Sequence, residues 1–163
     1  MTPPRPNESA HSADFEFAAL SEARNYREAL VRDFSPWLQG RVLEVGAGIG
    51  QITDLLRHHP TVTKVVSVEP DAAFCARLRS ALPGHTVIEG TIDDLLPGED
   101  WNAIVSINVL EHIAEDAREL GIYRRVLARK HGALCLFLPA RPEIYAPIDK
   151  DFGHFRRYTR SEL

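Results

Sequence analysis

Short apolar runs alternate along the chain with longer segments in which apolar residues recur at helical spacing. Five of the short runs predict strands, at 41–45, 64–68, 86–89, 103–107 and 134–138. The longer segments predict helices, with one or two in the first of them, at 15–38, 51–59, 72–82 and 114–129. Strands that alternate with helices favour a doubly wound α/β sheet of five parallel strands joined by right-handed crossovers.

Both ends of the chain depart from this pattern. Residues 1–14 are rich in proline, serine and asparagine, so we expect a disordered lead-in followed by one domain over 15–163. At the other end, Thr159 and Glu162 have the spacing of a capping box, which begins a helix, yet the sequence stops at Leu163. We therefore expect a domain that is incomplete at its C-terminus, and a natural tail ending on these residues is the alternative.

Composition narrows the range of partners. The chain has 163 residues, of which 44% are hydrophobic and 26% charged, as in an ordinary globular domain. Its net charge of -4 calls for neither nucleic acid nor a membrane surface as a partner. No apolar run approaches the roughly 20 residues of a membrane span. Cys75 and Cys135 lie in apolar surroundings, which indicates buried free thiols and a cytoplasmic location.

Three glycines alternate directly after the first predicted strand, at Gly46, Gly48 and Gly50. Glycine there lets a small ligand approach the backbone, because no Cβ stands in the way. The carboxylate of Glu44 would repel a phosphate, so we expect a ligand that carries positive charge or hydroxyl groups. A dinucleotide-binding loop needs a third glycine at the position of Gln51, which argues against a nicotinamide cofactor.

The pattern Glu-x-Gly-x-Gly-x-Gly after the first strand resembles motif I of the class I S-adenosylmethionine-dependent methyltransferases. The resemblance extends over about residues 15–163 and implies a Rossmann-like fold. It also implies that the cofactor is S-adenosylmethionine and the product S-adenosylhomocysteine (SAH). The implied cofactor contacts in this first motif are Glu44, Gly46, Ala47, Gly48, Gly50 and Gln51.

Two later segments match further motifs of the family. Glu69, followed by Pro70, ends the second strand, where a carboxylate accepts hydrogen bonds from both ribose hydroxyls of either NAD or S-adenosylmethionine. After the third strand the family wraps the adenine, and relatives often place an aspartate where this chain has Thr91. We expect Asp93 or the backbone near Ile92 to take that role, although helix capping by Asp93 or Asp94 is an equally good explanation.

The segment from Asn108 to His112 closely matches small-molecule members of the family. Ligands of a parallel sheet lie beyond the carboxyl ends of its strands, so the resemblance implies that Asn108 and Val109 face the methionine part of the cofactor. His112 is a candidate catalytic base because imidazole titrates near neutrality, and a structural role at the helix start is the alternative. Tyr26, in the N-terminal helical segment, is expected to help close the pocket.

A Gly-His-x-Arg-Arg-Tyr segment at 153–158 resembles one found in a bacterial branch of the family. His154 is therefore a second candidate for deprotonating the acceptor. Arg156 and Tyr158 are expected to orient an anionic or hydroxylated substrate through charge-assisted hydrogen bonds. No pair of cysteines or histidines has the sequence spacing of a zinc site, so no metal is expected.

Together the motifs predict a methyltransferase, or the core fragment of one, that acts on an oxygen or nitrogen nucleophile of a small-molecule acceptor. The family adds a helix and an antiparallel strand pair after the fifth strand, and we expect this chain to lack them. Strand 134–138 would then be an exposed sheet edge, which predicts a homodimer or a swapped element. The alternatives are a cofactor-binding module without turnover and, opposed by Gln51, a nicotinamide-dependent oxidoreductase.

Overall fold

A computed structural model describes residues 23–95 and 98–163, so the expected lead-in at 1–14 lies outside the described part of the chain. The helices are α1 (Arg24–Phe34), α2 (Gln51–Arg57), α3 (Ala72–Ala81), α4 (Asp116–Ala128) and α5 (Pro147–Asp151). The strands are β1 (Gly40–Val45), β2 (Val62–Glu69), β3 (Thr86–Glu89), β4 (Ala103–Ile107) and β5 (Ala133–Phe137). Short 3-10 turns lie at Ser35–Trp37, Ile92–Asp94, Leu110–His112 and Pro142–Ile144.

The five strands form one parallel sheet in the order β3-β2-β1-β4-β5. The chain moves outward from β1 through β2 to β3 and then returns to β4, on the other side of β1. This topology confirms the predicted α/β fold of five parallel strands. Because the winding direction reverses between β1 and β4, the carboxyl ends of these strands leave a crevice that suits a ligand.

Apolar side chains cover both faces of the sheet because neighbouring β1 residues point to opposite sides. Leu43 packs in one cluster with Tyr123 of α4, whereas Val42 packs in the other with Val31 of α1 and Leu56 of α2. All five side chains are buried. Burial on both faces explains why the central strands are continuous apolar runs rather than alternating ones.

Most element boundaries lie within two residues of the predicted ones, and β3 and β4 agree at both ends. Strand β2 begins earlier than predicted because Val62 pairs with Gly40 across an irregular register at the start of β1. Cys75 and Cys135 are buried and form no disulfide, as predicted.

The chain after β5 folds back onto the loop that follows β4. The N–H of Phe155 donates to the carbonyl of Glu111 at 2.8 Å, and this return path contains α5, which the sequence pattern did not predict. The capping-box contact forms as well, since Oε2 of Glu162 accepts from the N–H of Thr159 at 2.7 Å. Within the described ranges, no helix is long and apolar enough to cross a membrane.

Candidate active site

A cavity of about 770 Å³ lies at the carboxyl ends of the strands, where the winding direction reverses. Its volume falls within the roughly 300–1,000 Å³ that is typical of small-molecule sites. The loops after β1, β2, β3 and β4 contribute most of its wall, and α1 and the α5 region contribute the rest. The predicted site residues that line it are Tyr26, Glu44, Gly46, Ala47, Gly48, Gln51, Glu69, Pro70, Thr91, Ile92, Asp93, Asn108, Val109 and His112.

The glycine loop packs tightly against the first turn after β4. Gly46 has a φ of +74°, and a Cβ added to it would lie 2.2 Å from Cγ2 of Val109. Gly50 does not line the cavity, and its expected contact with the cofactor stays a prediction. A Cβ on Gly50 would lie 3.0 Å from Cγ of Leu78, so this glycine lets α3 approach the start of α2.

Glu69 is fixed at the end of β2 by two backbone N–H groups. Its Oε2 accepts from Gly48 at 2.8 Å, and its Oε1 accepts from Asp71 at 2.9 Å. Burial raises the pKa of Glu69, while these hydrogen bonds to the backbone oppose the change. Each carboxylate oxygen keeps a second lone pair, so the group can still accept hydrogen bonds from a diol in the cavity.

Glu44 lines the cavity, but its carboxyl group is also engaged inside the protein. Oε2 accepts from the hydroxyls of Thr53 in α2, at 2.5 Å, and Ser67 in β2, at 2.9 Å. Burial raises the pKa of Glu44 to about 7, and the two hydroxyl groups oppose that rise. The expectation that a charged Glu44 selects the ligand by repelling phosphate is therefore weakened, and the residue ties α2 to the sheet.

The loop after β3 forms a capping box. Oδ2 of Asp94 accepts from the N–H of Thr91 at 2.8 Å, and Oγ1 of Thr91 accepts from the N–H of Asp93 at 3.3 Å. Both terminal nitrogens of Arg118 donate to the carboxylate of Asp93 at 2.9 Å. Capping is thus confirmed for Asp94, and the ion pair with Arg118 favours the backbone near Ile92 over the Asp93 carboxylate as the adenine contact.

An unusual backbone turn directs the chain from β4 into the cavity wall. Asn108 has a φ of +53°, a conformation that asparagine adopts more readily than most residues, and its N–H donates to the carbonyl of Phe137 at 2.9 Å. The 3-10 turn that follows places His112 on the wall beyond Asn108 and Val109.

The two candidate catalytic histidines lie together but have different surroundings. Their ring centroids are 4.6 Å apart, with the planes at 85°. His112 lines the cavity, and partial burial and then the neighbouring imidazole of His154 lower the pKa of His112. His154 does not line the cavity, and its Nδ1 lies 3.2 Å from Oδ1 of Asp149. His112 is therefore the histidine that can contact an acceptor.

Arg156 and Tyr158 fasten the C-terminal segment to the loop after β4, and neither lines the cavity. Arg156 pairs with Oδ2 of Asp116 at 2.5 Å and donates to the carbonyl of Ala114 at 2.7 Å. The hydroxyl of Tyr158 lies 3.1 Å from the carbonyl of Leu110 and 3.0 Å from Oδ2 of Asp116. The polar groups of both residues thus have partners within the protein, and their contact with substrate stays a prediction.

The cavity also has wall residues that the sequence motifs did not single out. Arg27 and Leu30 follow Tyr26 on α1, and helical spacing from Tyr26 to Leu30 was the available signal. Lys150 and Phe152 reach the wall because the chain after β5 turns back toward β4. The local sequence around these two residues did not indicate that they line the cavity.

A doubly wound sheet with a glycine loop and a β2 carboxylate around one cavity defines a class of proteins that bind adenosine-containing cofactors. The residues of this cavity fit an adenosine-containing cofactor. Glu69 offers acceptors for the ribose hydroxyls, and Phe74 and Ile92 offer apolar side chains to the adenine. Residues 43–136 match the family model described as "Methyltransferase domain", and the chain belongs to that family. S-Adenosylmethionine is the cofactor of this family.

The chain is also similar to part of a plant enzyme. This relative is 2-methyl-6-phytyl-1,4-hydroquinone methyltransferase 2, chloroplastic, from Oryza sativa subsp. japonica, which is 31% identical over 108 residues. That match covers 64% of this chain and 31% of the rice protein. The chain therefore spans less than a third of the length of this relative.

Solved structures show the same fold. DesVI from Streptomyces venezuelae has a TM-score of 0.64 at 19% identity, covering 83% of this chain and 60% of DesVI. DhpI in complex with SAH has a TM-score of 0.63 at 18% identity, covering 85% of this chain and 69% of DhpI. These likenesses establish the architecture around the cavity.

Proposed function

We propose that the protein transfers a methyl group from S-adenosylmethionine to an oxygen or nitrogen nucleophile of a small-molecule acceptor. The observation that carries this proposal is the contact between Glu69 and the N–H of Gly48 at the cavity wall. This contact places the Glu69 carboxylate, which can accept hydrogen bonds from hydroxyl groups, beside the glycine backbone, which a ligand can approach closely. The family match over 43–136 includes both residues.

Each part of the cofactor is assigned to the wall residues whose chemistry matches it. Glu69, with Pro70 beside it, takes the ribose, and the backbone at Thr91 and Ile92 takes the adenine. The loop around Ala47 and Gln51 and the turn at Asn108 and Val109 take the methionine part. Tyr26 of α1 covers the methionine part of the cofactor. Its ring packs edge-on against Phe137, with the ring centroids 5.8 Å apart.

S-Adenosylmethionine, when bound, supplies a methyl group already activated by its sulfonium charge, so the chain mainly aligns the reactants and excludes water. His112 activates the acceptor by taking the proton of its hydroxyl or amine. The position of His112 on the cavity wall supports this role. His154 acts through His112, because it packs against that ring and is held by Asp149.

The remaining wall favours a compact acceptor with an apolar part. Leu30, Ile49, Ile113 and Phe152 line the cavity together with the cationic Lys150. A volume of about 770 Å³ suits a cofactor and a small second molecule.

Two further proposals concern the whole molecule. Strand β5 ends the sheet order and Leu134 in it is 36% exposed, so we place a homodimer contact or a swapped element on this edge. Light scattering that finds only a monomer would contradict this contact. We also place the protein in the cytoplasm, since the buried thiols of Cys75 and Cys135 suit a reducing compartment.

Calorimetric titration with S-adenosylmethionine, SAH and NAD tests the cofactor assignment. We expect the first two to bind and NAD not to bind. Glu69→Ala removes two hydrogen-bond acceptors and is expected to weaken S-adenosylmethionine binding by roughly 10- to 100-fold. The control is Glu89→Ala, which removes a carboxylate from the end of β3 that pairs with Arg79.

An unchanged affinity of the Glu69 variant would remove this residue from the site. Release of SAH in the presence of candidate hydroxyl and amine acceptors then separates turnover from binding alone. Binding without turnover across a broad acceptor panel would favour a cofactor-binding module.

A further inference from the structure

Three side chains with metal-binding groups meet beside the cavity, namely Glu111, His112 and His154. One carboxylate oxygen and one nitrogen from each imidazole lie within 4.8 Å of one another. Glu111 and His112 belong to the turn after β4, whereas His154 comes from the segment after α5. The hydrogen bond from Phe155 to the Glu111 carbonyl, at 2.8 Å, brings these two distant parts of the chain together.

His154 is oriented as a metal ligand would be. Its side chain is only 10% exposed, and its Nε2 has no hydrogen-bond partner among residues 23–95 and 98–163. Its Nδ1 lies against Oδ1 of Asp149, which also accepts from Nε of Arg157 at 2.8 Å. Metal-binding histidines commonly contact a carboxylate through one ring nitrogen and the ion through the other. A buried nitrogen without a partner therefore has the position of the second contact.

We propose that Glu111, His112 and His154 bind one divalent transition-metal ion of the Zn²⁺ type. Two imidazole nitrogens and one carboxylate oxygen favour such an ion over Mg²⁺ and Ca²⁺, which prefer all-oxygen sites. The ion would lie beside the carboxyl group of Glu111, a residue that is fully buried. The donor chemistry and the burial thus select both the site and the class of ion.

The geometry needs only a small contraction. Bonds of about 2.1 Å in a tetrahedral site hold the ligand atoms about 3.4 Å apart. The three groups are separated by at most 4.8 Å, so each pair closes by at most about 1.4 Å around the ion. Three protein ligands leave a fourth position open, and His112 brings the site to the cavity wall.

The catalytic consequence rests on the proposed function, whereas ion binding does not. A divalent ion with an open position polarises a bound hydroxyl or amine and eases loss of its proton. With the ion bound, His112 acts on the acceptor as a metal ligand instead of taking its proton directly, and a water or buffer base takes up that proton. The new bond from the acceptor to carbon forms as the bond from sulfur to the methyl group breaks, which leaves SAH.

Cobalt is the probe, because the visible absorption of Co²⁺ reports its coordination by protein groups. The full chain is stripped with a chelator and titrated with Co²⁺ in the absence of cofactor and acceptor. We expect one equivalent to bind with visible absorption, to be displaced by one equivalent of Zn²⁺, and to persist in millimolar Mg²⁺. His154→Ala is expected to abolish the absorption and to weaken Co²⁺ binding at least 10-fold.

The control is His58→Ala, which removes an exposed histidine at the end of α2 and is expected to leave Co²⁺ binding unchanged. Glu111→Gln serves as a second, near-isosteric variant, and circular dichroism establishes that each protein is folded. A folded wild-type chain that binds no Co²⁺, or binding that survives both site variants, overturns the metal site. S-Adenosylmethionine binding is measured on the same samples, so the metal site can fail while the proposed function stands.

Discussion

The proposed cofactor end of the cavity, around Glu69, and the proposed acceptor end, around His112, are held together by different kinds of contact. At the cofactor end, backbone N–H groups of Gly48 and Asp71 fix the Glu69 carboxylate. At the acceptor end, side chains from the segment after β5 make the contacts, as when Arg157 pairs with Asp149 at 2.8 Å. One end is built from two adjacent strands, and the other depends on packing between distant parts of the chain.

This difference indicates which parts of the cavity can change independently. The Glu69 carboxylate takes both of its backbone hydrogen bonds from the loops that follow β1 and β2. The acceptor end instead requires the chain after β5 to return to the β4 loop, which Tyr158 and Arg156 secure. We therefore expect substitutions after β5 to affect the acceptor end and to leave cofactor affinity largely unchanged.

The largest expected effect separates the two ends by function. His112→Ala should lower the rate of methyl transfer by about 10²- to 10⁴-fold, the usual contribution of a group that assists proton transfer. S-Adenosylmethionine affinity should stay nearly constant, because His112 is assigned to the acceptor. SAH release and calorimetry measure the two quantities, with His58→Ala as the control. A large loss of cofactor affinity in this variant would contradict the assignment of His112 to the acceptor end.

The next prediction concerns the backbone of the cofactor end. Gly46→Ala combines an unfavourable positive φ with a clash against Val109, so we expect the free energy of unfolding to fall by about 3 kcal/mol. Gly84→Ala is the matched control, because Gly84 has a φ of +77° but nothing within 4 Å of an added Cβ. It should cost about 1 kcal/mol. Equal losses in urea denaturation would show that the contact with Val109 is unimportant.

The pH dependence of stability tests whether the pKa of the buried Glu44, beside the proposed cofactor end, is raised. The pKa of Glu44 is about 7 in the folded protein and near 4.5 ordinarily, so the folded state retains a proton that the unfolded state releases between these values. The contribution of protonated Glu44 to the free energy of unfolding is fully present below pH 4.5 and is lost as the pH rises to about 7. The loss is at most about 3 kcal/mol.

Glu44→Gln keeps the neutral form at every pH, so this part of the pH dependence should disappear. Urea denaturation of the two proteins between pH 4.5 and 7.5 measures the difference, and the exposed Glu115→Gln is the control. Parallel stability profiles for the wild type and Glu44→Gln would show that Glu44 ionises normally.

The smallest expected effect concerns the fastening of the acceptor end. Tyr158→Phe removes a hydroxyl that contacts the carbonyl of Leu110, and we expect it to lower the free energy of unfolding by about 1 kcal/mol. Methyl transfer should slow while S-adenosylmethionine affinity is retained. Tyr26→Phe, at the cofactor end, is the matched loss of a hydroxyl. If Tyr158→Phe weakens cofactor binding more than Tyr26→Phe does, the two ends are coupled.

The sheet and the cofactor end were predictable because their signals are local. A strand that is buried on both faces, as β4 is, is a continuous apolar run, and all five predicted strands are present in the fold. Alternating glycines after β1 and an acidic residue at the end of β2 marked the loop and Glu69. Helix α5 was not predictable, since its five residues are too few to show helical periodicity.

At the site, some motif residues have partners that the sequence did not indicate. Gly50 lies in the glycine motif but packs against Leu78, and Arg156 belongs to a recognisable motif but pairs with Asp116. A motif identifies residue types at a spacing, whereas a side chain's partner is chosen by contacts that form only after folding. The proposed metal site was hidden for the same reason, because its ligands come from two distant segments.

The amino-acid sequence by itself determined the strands, the parallel winding and the residue types of the proposed cofactor end, because each shows as a local pattern along the chain. Only the tertiary structure decided that His112 faces the cavity while His154 lies behind it with a buried nitrogen. The reason is physical. The direction of both rings is set by packing and hydrogen bonds between the β4 loop and the segment after β5, which meet only in the folded protein.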